Sequence, residues 1–244
     1  MIEAKTDIRK ARLLEIGPLD NPTYLKSEAN IKYLDYTSET ILSAKSKNNP
    51  RYALERLVKV DFISPTPAYS EVINEKFDVV IANHVIEHIP DTISWLQEIE
   101  KILETNGILF LSVPDKRYTF DITRRNTTFI DLLYNYNNKV KKPSFYNILE
   151  HFFYHKAVDA KMVWRNEHLQ KIQQQRFSPQ EALKVAQRLS KEEYADVHCH
   201  VYTMDSFKEL VSVLTEMNYI PLQLEEVFDT QPMTNEFQAV FRKF

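Results

Sequence analysis

Glycine is almost missing from this chain, with Gly17 and Gly107 the only two in 244 residues. A dinucleotide pyrophosphate needs a glycine-rich turn so that backbone amides can close on the phosphates, and this scarcity argues against such a cradle. Cysteine is rarer still. The lone Cys199 cannot form an intramolecular disulfide, which agrees with a reducing compartment. Neither charge sign dominates: 31 Lys and Arg stand against 34 Asp and Glu, for a net charge of -3. That balance gives no bulk electrostatic case for nucleic acid or an anionic membrane as the main partner. Long hydrophobic runs are also absent. The opening "MIEAKTDIRKARLLEIG" is charged throughout and its apolar run of four residues is too short for a signal peptide or a membrane span, so a cytoplasmic location is expected.

What is present is a core-forming composition, 43% hydrophobic and 12% aromatic. From Arg12 to Arg117 short β-branched or apolar runs alternate with helical or loop segments, the pattern of stacked βαβ units on a parallel sheet. Strands are expected at 12–16, 31–36, 57–62, 77–83 and 108–113. Ile93, Leu96, Ile99, Ile102 and Leu103 recur at three- and four-residue spacing and form one apolar helical stripe, which Asn106 and Gly107 are expected to end. Beyond residue 120 the alternation stops, and 120–200 reads as a mainly helical insertion. Within it, Ser178, Pro179 and Glu181 spell a helix start. A helix over "MDSFKELVSVLTEM" and two closing strands, "PLQLEEVF" and "EFQAVF", complete the chain. The expected organisation is 1–119 as a cofactor-binding half, 120–200 as a lid over the acceptor, and 201–244 as the closing helix and strands.

In open α/β sheets ligands bind outside the carboxyl ends of the strands, where the strand order reverses. The first such turn reads "LLEIGPLDNP", with Glu15, Gly17 and Pro18 at its start. S-adenosylmethionine carries an ammonium, a carboxylate and a sulfonium in place of a pyrophosphate, so one acid and one glycine are reasonable partners. Asp35, in "YLDY" with Tyr36, lies 19 residues after Ile16, near the spacing at which an acid accepts ribose hydroxyls. Asp61 and Phe62 end the third expected strand, where they would border an adenine ring. Asp is also common at strand-terminal turns for local reasons, and that reading of Asp35 and Asp61 stands beside the other.

The ordered series "LLEIGP", "YLDY", "VDF", "FDVVIANHVIEH", "LQEIEKIL" and "GILFLSVPD" resembles the motif series of class I S-adenosylmethionine-dependent methyltransferases over about half the chain. The resemblance implies a Rossmann-like α/β fold: a mostly parallel seven-stranded sheet, helices on both faces, and the helical insertion after the fifth strand. The longer forms "EIGPLDNP", "NHVIEHIPD" and "VPDKRYTFD" are similar to a bacterial subgroup associated with surface-polysaccharide biosynthesis. The later glycines of the family's first motif are missing here.

The stretch "HVIEH" matches the H-x-x-E-H pattern of inverted zincin proteases, which bind zinc from one helix face. Its position directly behind a strand and before Pro90 argues against that reading. In a methyltransferase, Asn83 and His84 would face the cofactor and the incoming nucleophile. The spacing of His84, Glu87 and His88 also resembles a metal site of some O-methyltransferases, although no metal requirement is expected. His198 and His200 sit two apart, so on an extended segment both would point the same way and one of them could join His84 as general base or ligand. The alternative is a hydrogen-bonded structural pair. Asp115, Arg117, Tyr118 and Arg124 are candidates for an acidic or phosphorylated acceptor, with salt bridging at a helix start as the competing explanation for Arg124.

The function implied is methyl transfer from S-adenosylmethionine to a hydroxyl of a sugar, glycan or other small molecule. Catalysis would come from in-line positioning plus a histidine base: His84 first, then His88, His198 or His200. A divalent cation is conceivable but not required. A non-catalytic methyltransferase-like binding module and an NAD-dependent oxidoreductase are the alternatives, the second disfavoured by the missing glycines.

Overall fold

The computed structural model describes residues 2–46 and 53–244. The strands are β1 (Leu13–Ile16), β2 (Ile31–Asp35), β3 (Phe62–Ile63), β4 (Phe77–Asn83), β5 (Leu103–Pro114), β6 (Gln223–Phe228) and β7 (Glu236–Arg242). They form one sheet in the order β3-β2-β1-β4-β5-β7-β6. The first five pair in parallel, while β7 runs antiparallel to both β5 and β6. The chain steps outward from β1 to β3, then returns to the other side of β1 to place β4. The order therefore reverses between β1 and β4, the switch point at whose carboxyl ends open α/β sheets carry their ligand crevice.

The apolar runs read as strands because both faces of the sheet are covered. Leu14 and Ile16 face one buried cluster with Val80, Ala82, Leu109 and Leu111. Leu13 faces the other with Ile31, Tyr33, Val79 and Ile81. Cover on the first face is helical: α2 (Thr92–Ile102) buries Ile93, Trp95, Leu96, Ile99 and Ile102, and α7 (Met204–Glu216) buries Phe207, Leu210, Val211 and Leu214. Asp91 caps α2 by accepting from the Ser94 N–H. The second face is covered by the 3-10 turn Ile2–Ala4, by Ala11 and Ala29, and by Val58 and Val60 packed against the cluster.

That second cluster explains one difference from the sequence expectation. The 57–62 run contributes only Phe62 to a strand, because Val58 and Val60 are used as cover for a sheet face. A second difference concerns Asn106 and Gly107. Helix α2 already ends at Ile102 and β5 starts at once; Leu103 pairs with Phe77 and Ile108 with Val79, leaving 104–107 as a bulge. A Cβ on Gly107 would meet the Glu104 carbonyl oxygen at 2.8 Å, which is why a glycine sits there.

The first helix of the chain is α1 (Glu39–Ser46). Between β5 and α7 lie α3 (Phe129–Asn137), α4 (Phe145–Phe153), α5 (Ala160–Trp164) and α6 (Pro179–Leu189). Ser178 and Glu181 form the expected capping box of α6, with Pro179 in its first turn. Ile148, Ala186, Ala195 and Val197 make a separate small core for this region.

Candidate active site at the switch point

The crevice is bordered by the ends of β1, β2 and β4. Gly17 follows β1 at φ +66 and donates its N–H to the Leu34 carbonyl at 2.8 Å. A Cβ at Gly17 would touch Val85 Cγ2 at 3.4 Å in addition to the strained backbone. Pro18 continues the turn, its carbonyl accepting from Asn21 N–H. Glu15 is 1% exposed and points to the rim. Both its carboxylate oxygens accept from the Thr23 N–H, at 3.0 and 2.9 Å, and Oε1 also accepts from the Thr23 hydroxyl at 2.7 Å. Asn83, at the end of β4, donates to Glu15 Oε1 and to the Thr23 hydroxyl. Burial raises the Glu15 pKa while these donors oppose the rise. Glu15 thus fastens the loop after β1 to β4.

Asp35 ends β2, 4% exposed. Its Oδ1 accepts from Tyr36 N–H at 2.7 Å, whereas Oδ2 is buried with no partner. Burial pushes this carboxyl up to about 6. Tyr36 stacks on Tyr194 with centroids 4.4 Å apart and planes 13° apart, which ties the rim to the segment after α6. An orphaned acceptor, a glycine in the left-handed region and an acid-tethered loop fit an adenosyl ligand at this crevice. Asp61 stands at the neighbouring strand end. It precedes β3, and its carboxylate is bonded to the Tyr33 N–H and to Lys26. Phe62 packs edge-on against Phe77 at the first-face cluster.

His84 follows β4 in the left-handed region at φ +53, unusual for a non-glycine residue and common at functional turns. Its Nε2 lies 2.5 Å from Glu236 Oε2, at the start of β7. Burial disfavours the charge on His84, but Glu236 and Glu87 outweigh it and raise the pKa. An ionised carboxylate only accepts, so with Glu236 ionised Nε2 carries the proton and Nδ1 is left facing Glu87 Oε1 at 3.6 Å. "HVIEH" is not an α-helix. Ile86–His88 is a single 3-10 turn, unlike the zincin pattern. Glu87 is 1% exposed, and neither carboxylate oxygen has a hydrogen bond. His88 Nε2 also lies 3.6 Å from Glu87 Oε1. Burial lowers the His88 pKa, with Glu87 opposing.

His198 and His200 are separated by a bend rather than carried on a strand, because the N–H groups of Cys199 and His200 both donate to the Glu87 carbonyl. The two rings consequently have different surroundings. His198 packs edge-on against His88, centroids 4.9 Å apart, and bonds through Nδ1 to Asp121 Oδ2 at 2.5 Å. His200 is 2% exposed and bonded to the Pro90 carbonyl and the Thr127 hydroxyl; burial lowers its pKa to about 4. It is a neutral structural histidine, away from the expected base position.

The expected acceptor cluster is mostly committed elsewhere. Arg124 is buried and bonded to Asp121, Glu150 and the His198 carbonyl, so it serves as a strut inside the region after β5. Asp115 is fully buried and accepts from Arg117 and Thr230. Arg117 reaches Asp229 as well, and Tyr118 stacks on Trp164, centroids 4.4 Å apart. Thr23 and Glu236 were missed by sequence reasoning. Neither lies in a motif, and Glu236 reaches His84 only because β7 inserts next to β5.

Residues 4–213 match the family described as "Methyltransferase domain". Among curated proteins, the chain is 29% identical over 105 residues to the ubiquinone biosynthesis O-methyltransferase of Actinobacillus pleuropneumoniae, covering 41% of this chain and 43% of that protein. It is 26% identical over 112 residues to the protein of the same name from Pelagibacter ubique, covering 45% of this chain and 44% of that one. The matched region thus spans less than half the length of these relatives. A solved structure, an S-adenosylmethionine-dependent methyltransferase from Mesorhizobium loti, shares the fold at TM-score 0.50 with 10% identity, covering 99% of this chain and 95% of that one. No helix among the described residues is long and apolar enough to cross a membrane. With its sheet order and a family match over most of its length, the chain belongs to the methyltransferase-domain family.

Proposed function

We propose that the chain transfers the methyl group to a hydroxyl of a small-molecule acceptor, with His84 as general base. The observation that carries this reading is the His84–Glu236 pair at the end of β4. Glu236 fixes the ring and its tautomer, and Nδ1 faces Glu87 across 3.6 Å. Two lone-pair-bearing atoms so placed repel unless a donor lies between them, and an acceptor O–H supplies one. S-adenosylmethionine supplies an electrophilic methyl carbon on a sulfonium. The chain's own work is to hold the acceptor oxygen in line, exclude water and take one proton at His84.

Asp35 accepts from the ribose, and Gly17 lets the backbone approach. Glu15, Thr23 and Asn83 keep the loop after β1 in register for the methionine end. The 120–200 region acts as the acceptor lid. His198 and the Tyr36–Tyr194 stack are its points of contact with the rim.

Sugar or glycan hydroxyls are one acceptor class, supported by the likeness of "EIGPLDNP", "NHVIEHIPD" and "VPDKRYTFD" to the surface-polysaccharide subgroup. The names of the curated relatives favour an intermediate of ubiquinone biosynthesis as the second. The test is a screen of nucleotide sugars, glycans and ubiquinone intermediates, read as S-adenosylhomocysteine released. Turnover on one class selects it, and methylation confined to amines would overturn the hydroxyl reading.

A further inference from the structure

Among the described residues two Lys or Arg side chains are buried: Arg124, 2% exposed, and Lys156, 7% exposed. Their surroundings differ. Arg124 is met by Asp121 at 2.9 Å and by Glu150 at 3.1 Å. The Lys156 ammonium has no hydrogen bond or ion pair with any described residue. A cation held largely out of water with no acceptor costs free energy that an apolar side chain of the same length would not. An anion arriving at Nζ would remove that cost.

The backbone places this lysine beside the acceptor side of the rim. Lys156 follows α4, and its N–H donates to the Phe120 carbonyl at 3.0 Å, so it lies against the segment that leaves β5. The Phe120 ring packs on His198, centroids 4.8 Å apart. Two residues before Phe120, Tyr118 stacks on Trp164 with planes 4° apart. Trp164 Nε1 donates to the Thr234 carbonyl at 2.9 Å, and Glu236, the partner of His84, follows two residues later. The aromatic pair is thus anchored to the loop that delivers Glu236.

We infer that Lys156 is a specificity-determining residue, the cation that receives a carboxylate or phosphate on the acceptor, while the acceptor's ring packs on the Tyr118–Trp164 wall. The arginines beside it are already taken: Arg124 as above, and Arg117 by Asp115 and Asp229. Lysine is a compact point charge rather than a planar fork, so either anionic group suits it. That the anion belongs to the methyl acceptor rests on the proposed function, whereas anion binding at Lys156 does not.

The test is calorimetric titration of the full chain, with S-adenosylhomocysteine bound, using matched probes: protocatechuate against its amide, glucuronate against glucose, and phenyl phosphate against phenol. At least one anion should bind about ten- to a hundredfold more tightly than its neutral counterpart, and the pair that shows it tells carboxylate from phosphate. Lys156→Met should lose the preference, Lys156→Arg should keep most of it, and neither should change S-adenosylhomocysteine affinity. Lys156→Met should also melt no lower than wild type, which a lysine holding the region together through its ammonium would not allow. If it fails to fold, Lys156→Gln takes its place in the titration. Wild-type protein with no preference for any anion, or a folded Met or Gln variant with the wild-type preference, would overturn the assignment. A preference that follows Lys156 in protein that methylates no hydroxyl would keep the anion site and remove only the acceptor reading.

Discussion

Thr23 closes on Glu15 with three hydrogen bonds, two from its N–H and one from its hydroxyl, and so binds the loop after β1 to the strand it has just left. In Glu15→Gln the amide NH₂ would face at least one of these donors. The expected cost is about 1 to 3 kcal/mol of stability, with weaker S-adenosylhomocysteine binding. Thr23→Val keeps the N–H and loses only the hydroxyl bonds, so a smaller loss of about 1 kcal/mol is expected. Thermal melts and calorimetry on the two variants check the order.

Gly17 sits at φ +66, and alanine there should cost about 1 to 2 kcal/mol. The strain is in the backbone, since the new Cβ would only touch Val85. Val85→Ala should therefore fail to rescue Gly17→Ala. Rescue would mean that the side-chain contact decides.

Asp35 gives the site a pH dependence of definite sign. Its folded pKa is raised to about 6, so its contribution to the stability of the free protein is full below the ordinary value of 3.8 and is lost as pH rises through about 6. Cofactor binding has the opposite need, because ribose hydroxyls donate to the ionised form. Affinity for S-adenosylhomocysteine should be flat above pH 6 and fall below it by up to about tenfold per pH unit. Asp35→Asn should bind about tenfold more weakly at pH 8, melt no lower there, and lose the Asp35 share of the pH dependence.

The parts of the fold that local pattern controls were legible in the sequence. β1, β2 and β4 are buried on both faces, so they read as apolar runs, and α6 announces itself through Ser178, Pro179 and Glu181. The 57–62 run misled because alternation reports burial, not pairing, and Val58 and Val60 are buried as cover. Gly107 misled because a bulge and a helix end both call for glycine. At the candidate site, Glu15, Asp35 and His84 stand out in the sequence because they lie at or next to strand ends. Glu236, Thr23 and the different surroundings of His198 and His200 depend on long-range pairing and on one bend, which no local spacing encodes.

Glu236→Gln keeps a hydrogen-bonding group beside His84 but no longer requires the proton on Nε2. Turnover should fall while S-adenosylhomocysteine affinity holds, because Glu236 lies outside the Glu15, Gly17 and Asp35 rim. A fall in affinity as large as the fall in turnover would assign Glu236 to cofactor binding.

The most direct measurement compares wild type and His84→Asn for S-adenosylhomocysteine released with the best hydroxyl acceptor from the screen. Asparagine tolerates the left-handed backbone at this position, so the fold should persist. The expected result is a turnover loss of about 10²- to 10⁴-fold with cofactor affinity unchanged. Full turnover by the folded variant would contradict His84 as the base.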